Sequence, residues 1–183
     1  MLFRYWAPVL LALAAVALAV PTARELVGAN DLAMVTIAVT STATVTTMAP
    51  LLITTSQDVV SPLDPLLQNV VSQTYGILGN TTMQVTNLGS AEAGLLKEEI
   101  AGLWIVIIKA YVAAFTAAAK LGGFLNAYGT TLDGYLANLV SQIDVATHGV
   151  DTAIAKDAPE LLAQLKAIAF ARTSIAIFGA VAA

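Results

Sequence analysis

The chain has 183 residues, of which 58% are hydrophobic and only 11% charged, with a formal net charge of −4 and a mean hydropathy of +0.81. Ordinary soluble domains are about 45–50% apolar and about 25% charged, so this chain has more apolar surface than one small core uses. Cysteine is absent, which excludes disulfide-stapled secreted scaffolds, and the basic residues are scattered, which excludes a reader of nucleic-acid phosphates.

Residues 1–19 read as a secretory signal peptide: a positive charge at Arg4, an apolar run from Pro8, and the small-x-small exit Ala17-Leu18-Ala19. The remainder is sized for one domain that works outside the cytosol. Residues 20–61 form a Thr-rich N-terminal segment without charge from Leu32 to Gln57. Val35-Thr36-Ile37-Ala38-Val39-Thr40 alternates like a strand, but no partner strand is visible, and Asn30 or Asp31 can cap a helix. The segment is therefore assigned as helix, interrupted near Pro50, where proline removes a donor and clashes with the preceding turn.

Residues 62–183 are expected to form the helical bundle core. Ser61-Pro62 predicts a helix start, and Leu63, Leu66, Leu67, Val70, Val71, Thr74, Ile77 and Leu78 follow at helical spacing. Gly76 and Gly79 weaken the end of that helix, and a bend is expected at Asn80. Asn80-Thr81-Thr82 is a glycosylation acceptor in a eukaryotic secretory pathway, where it would mark an exposed loop. Ser90 opens the next helix, with an apolar stripe from Leu96 to Ala119, glutamates near its start and Lys120 at its end. Gly122-Gly123 closes it. A second long stripe runs from Phe124 to Ile154, and Asp157-Ala158-Pro159-Glu160 opens a last helix extending to Phe178. The expected fold is all-α, an antiparallel bundle of four to five amphipathic helices.

No catalytic constellation stands out. His148, Asp144 and Asp151 can share one helix surface, but one imidazole with two carboxylates is first a solvated polar strip, since a hydrolytic metal centre needs at least three converging ligands. No serine sits in a nucleophile elbow. Neither a metal nor a cofactor is expected. Residues 103–119 approach the length of a membrane span, with Lys109 opposing insertion at about 2.5–3.5 kcal/mol near the centre, so a small integral membrane protein is the alternative reading.

Ser61-Pro62-Leu63-Asp64-Pro65-Leu66-Leu67-Gln68-Asn69-Val70-Val71 and Thr131-Leu132-Asp133-Gly134-Tyr135-Leu136-Ala137-Asn138-Leu139, with the leader and the missing cysteines, resemble the fungal hydrophobic surface-binding protein A and cell-wall mannoprotein family. The resemblance implies a secreted, all-helical, non-enzymatic protein that adsorbs to hydrophobic surfaces or holds lipid, such as a fatty acid, in an apolar cavity. The Thr-rich segment and the very apolar 103–119 stretch depart from that pattern. Expected lipid or surface contacts are Trp104, Ile107, Ile108, Tyr111, Phe115, Phe124, Tyr128, Leu132 and Leu136, the apolar stripes of the two longest helices. Self-association through the same faces is a further expectation.

Overall fold

A computed structural model describes residues 29–90 and 96–179; the expected signal peptide lies outside them. The described residues are helical, without strands. They form seven helices rather than four or five: α1 (Ala29–Asp58), α2 (Pro65–Thr86), α3 (Lys97–Ala118), α4 (Thr130–Ala146), α5 (Val150–Asp157), α6 (Glu160–Ala167) and α7 (Ala171–Phe178). A π-type turn, Leu125–Gly129, leads directly into α4.

In α1 the Thr-rich segment is one continuous helix of 30 residues with Pro50 inside it, so the expected interruption does not occur. Met34, Ala38, Val45, Met48 and Leu52 recur at spacings of three, four or seven residues and are buried, which fixes the helical period over the strand-like one. The threonines fit because their hydroxyls donate to carbonyls four residues back: Thr36 to Leu32, Thr40 to Thr36, Thr42 to Ala38 and Thr46 to Thr42.

α2 begins one turn later than Ser61-Pro62 predicts. Asp64 is its N-cap, accepting from the Leu66 N–H at 2.9 Å, and Pro65 is the first helical residue. Ser61 instead closes a small turn by accepting from the Leu63 N–H. The helix also runs past the expected bend at Asn80 to Thr86, because Leu78, Thr81, Thr82 and Val85 keep its buried face going. α3 starts at Lys97 and ends at Ala118, short of the glycine pair. Gly123, at φ 85°, turns the chain into the π-type segment.

The two C-terminal stripes are each broken. Thr147 is extended and Gly149 has φ 87°, so the 124–154 stripe divides into the π-type turn, α4 and α5. Asp144 Oδ1 stabilises this break by accepting from the Gly149 N–H at 2.9 Å. Ala169, at φ 57°, ends α6 and separates it from α7, with the Phe170 N–H donating to Leu165 O.

The long helices enclose one core. α1 packs along α3 and α2, α2 packs on α4, and α3 and α4 scarcely touch. α5 packs on both α3 and α4, and α7 packs on α4, α5 and α6. Trp104, Phe115, Phe124, Phe170, Met34, Leu52 and Leu67 are among the fully buried side chains. A run of rings crosses the interior, with Tyr111 to Phe115 at 5.8 Å between centroids and Phe115 to Phe170 at 5.5 Å.

Candidate apolar contact surface

The expected contact residues are mostly core. Trp104, Ile107, Ile108, Tyr111, Phe115, Phe124, Leu132 and Leu136 are buried. Burial also pushes the Tyr111 phenol far above its ordinary range. Trp104 Nε1 has no hydrogen-bond partner among the described residues. Tyr128 is half-buried, and its hydroxyl donates to Pro62 O at 2.6 Å. An apolar partner reaches the interior stripe only if the bundle opens.

The surface itself offers a different apolar site. Between α1 and α2 the chain carries Val60 at 98% exposure and Leu63 at 65%, and Leu66 in the first turn of α2 is 68% exposed. Helical periodicity assigns Leu63 and Leu66 to the buried face; the later start of α2 at Pro65 turns both outward. The Tyr128–Pro62 bond and the packing of Pro62 against Gly123, where an added Cβ would meet Pro62 at 3.4 Å, hold this connection in place. The apolar tips are thus presented by a fixed turn that contains Pro62 and Pro65. A Ser-Pro and an Asp-Pro step in succession, with leucines between and after them, are the local signal that marks it.

One flank of the molecule continues this character. Short of Asp58 at its end, the exposed residues of α1 include Leu32, Thr36, Val39, Thr40, Ala43, Thr47, Leu51 and Thr54, none charged. The hydroxyls of Thr36, Thr40, Thr47 and Thr54 donate to their own helix, which lessens their call on water. α2 has no charged residue, and its exposed side adds Met83 at 58% among glutamines, asparagines and serines. The exposed charges of the described residues lie mostly elsewhere: Lys97, Glu98 and Glu99 on α3, Lys156 and Asp157 on α5, Glu160 and Lys166 on α6. Lys109 pairs with Glu160 across α3 and α6, and that hydrogen bond holds the Glu160 carboxyl below its ordinary value. By length and composition, two described helices, Asp31–Asp58 and Lys97–Ala118, are apolar enough to cross a membrane.

His148 sits exposed in the turn between α4 and α5 rather than on one helix with both aspartates. Asp144 serves the Gly149 N–H, and Asp151 accepts from the N–H and hydroxyl of Thr152. No group of three potential metal ligands occurs among the described residues. Asn80 is exposed, but it lies within α2 instead of a loop, and the Thr82 hydroxyl of its acceptor triplet is buried, donating to Leu78 O at 2.8 Å. A shallow groove of about 400 Å³ is lined by Thr130, Thr131, Gly134, Tyr135, Asn138 and Arg172, with Tyr135 stacked on Tyr75 of α2. No model of a known protein family, no curated protein and no solved structure matches this chain.

Proposed function

We propose that this is a secreted or cell-wall-associated, non-catalytic protein that binds hydrophobic surfaces or lipids such as fatty acids, making first contact through the α1–α2 connection. The observation that carries this reading is the fixed presentation of Val60, Leu63 and Leu66 to solvent beside an uncharged flank. Burying such side chains gains about 1.5–3 kcal/mol each, so three of them support reversible adsorption but not irreversible insertion. The interior stripe, from Trp104 to Leu136, is then a second contact surface used when the bundle opens. The resemblance to hydrophobic surface-binding proteins is in keeping with this reading.

Two measurements on detergent-free chain lacking residues 1–19 test it. Co-flotation with oleate-containing phosphatidylcholine vesicles, and retention on apolar beads, should weaken at least tenfold for Leu63→Ser with Leu66→Ser. Trp104, the only tryptophan left once Trp6 is removed, reports separately on the interior. Its emission should stay constant while the surface alone is engaged and shift when the bundle opens. No adsorption to either material would overturn the proposal, and retention in membranes through carbonate extraction would favour a membrane-spanning protein.

A further inference from the structure

α7 is attached to the bundle differently from the long helices. Its buried residues are Thr173, Ser174 and Ile177, two of the three carrying hydroxyls. What holds its first turn is a carboxylate from α4. Asp133 is buried at 5% exposure; it accepts from the Arg172 N–H at 3.0 Å and from the Thr173 N–H at 2.8 Å. The Thr173 hydroxyl donates to the same carboxylate at 2.7 Å. Asp133 thus caps α7 from 39 and 40 residues away in sequence.

Both ends of α7 are sharp. Ala169 takes the left-handed conformation before it, and Gly179, at φ 65°, follows it. A helix of eight residues has little stability of its own, so its order depends on these contacts. At its N-cap Phe170 packs on Phe115 of α3, and α7 itself lies on α4, α5 and α6.

We propose that α7 is a displaceable strap, held by Asp133, whose local release uncovers the ring-lined interior between α3 and α4. Release hydrates the Asp133 carboxylate instead of stranding a buried charge. The apolar burial it forfeits is that of Phe170 and Ile177 with the partly buried Ala176 and Phe178, which an incoming apolar chain replaces. Elements with few buried apolar contacts are the ones that open below the global unfolding threshold. Asp133 is a positioning residue in this device. That lipid is what enters rests on the function proposed above; the strap's motion rests on the geometry of α7.

Hydrogen exchange resolved by mass spectrometry on the full chain tests the motion, and binding of anilinonaphthalene sulfonate tests exposure of the interior. Peptides covering residues 171–178 should exchange at least tenfold faster than those of α1 and α2. Thr173→Val and Asp133→Ala should speed α7 a further tenfold, leave α1 and α2 unchanged, and raise dye binding at least threefold. Thr173→Val keeps the test valid if Asp133→Ala does not fold, since it removes only the hydroxyl bonds. The strap is overturned if α7 exchanges at the rate of α1 and α2, if the substitutions speed all helices alike, or if α7 opens without added dye binding. Local opening with added dye binding, but no uptake of oleate vesicles by any variant, supports the strap and sinks the lipid-binding function.

Discussion

At the turn between α4 and α5, two carboxylates share a small space. Asp144 is committed to the Gly149 N–H, while partial burial raises the pKa of Asp151, and the neighbouring Asp144 raises it further. A raised folded-state pKa means that the native protein binds this proton more tightly than the unfolded chain does. The stabilising contribution is therefore complete below the ordinary aspartate value of 3.8 and is lost as pH rises through the higher native value. Asp151→Asn keeps the acceptor for the Thr152 N–H and removes the like charge. It should raise the urea midpoint at pH about 7 and change it little at pH about 3, where the Asp151 carboxyl is protonated. Equal pH dependence in the two proteins would remove the coupling from the account. His148 lies exposed between the two aspartates, so replacing it with alanine is expected to alter stability by no more than about 0.5 kcal/mol.

Among the helices, α1 tests how far packing overrides local preference. Pro50 occupies its interior, where proline opposes a helix by about 3 kcal/mol, yet Met48 and Leu52 on either side are buried and hold the helix through it. Pro50→Ala should therefore stabilise the protein by about 1–3 kcal/mol, read as a higher denaturant midpoint at constant slope. An unchanged or lower midpoint would mean that the helix is not continuous there. The helical class was legible because Met34, Ala38, Val45, Met48 and Leu52 keep one period even where threonine and valine imitate strand alternation. The break at Gly149 had a glycine to mark it. The one at Ala169 did not, because a non-glycine residue in the left-handed region gives no signal in composition, and α6 and α7 therefore read as one helix. The exposed tip was hidden for a related reason: Ser61-Pro62 and Asp64-Pro65 are equivalent start signals, and choosing between them decides whether Leu63 and Leu66 face inward or outward. Asp133 reads from sequence as one of the polar positions off the 124–154 stripe, yet it is buried, and it could be read as a cap for α7 only once the chain had brought the two together.

For the whole molecule, the division of charge sets how it can meet an apolar phase. The outer sides of α1 and α2 are uncharged between Asp31 and Asp58 and from Pro65 to Thr86, while lysines and glutamates gather on α3, α5 and α6. A surface approached along the sides of α1 and α2 meets few ions, Asp58 and the capping carboxylate Asp64 beside the tip being the charges there, whereas approach from α5 or α6 buries several charges at a cost of several kcal/mol each. Adsorption driven by this side should change less than about twofold between 50 mM and 500 mM salt, because no ion pair is there to be screened. Whether contact is end-on at the connection or side-on along α1 is separable. α1 is about 45 Å long, and Thr40 and Thr47 face solvent on its outer side, away from the exposed tip at Val60. Thr40→Lys with Thr47→Lys should leave the fold intact, since both hydroxyls bond only to the helix's own backbone. If α1 lies on the surface, two buried ammonium groups should weaken adsorption at least tenfold and make the remainder salt-dependent. If the protein stands on Val60, Leu63 and Leu66 alone, affinity on neutral beads should stay within about twofold of the parent. Steep salt dependence in the parent protein would mean instead that the charged side of α3, α5 and α6 makes the contact.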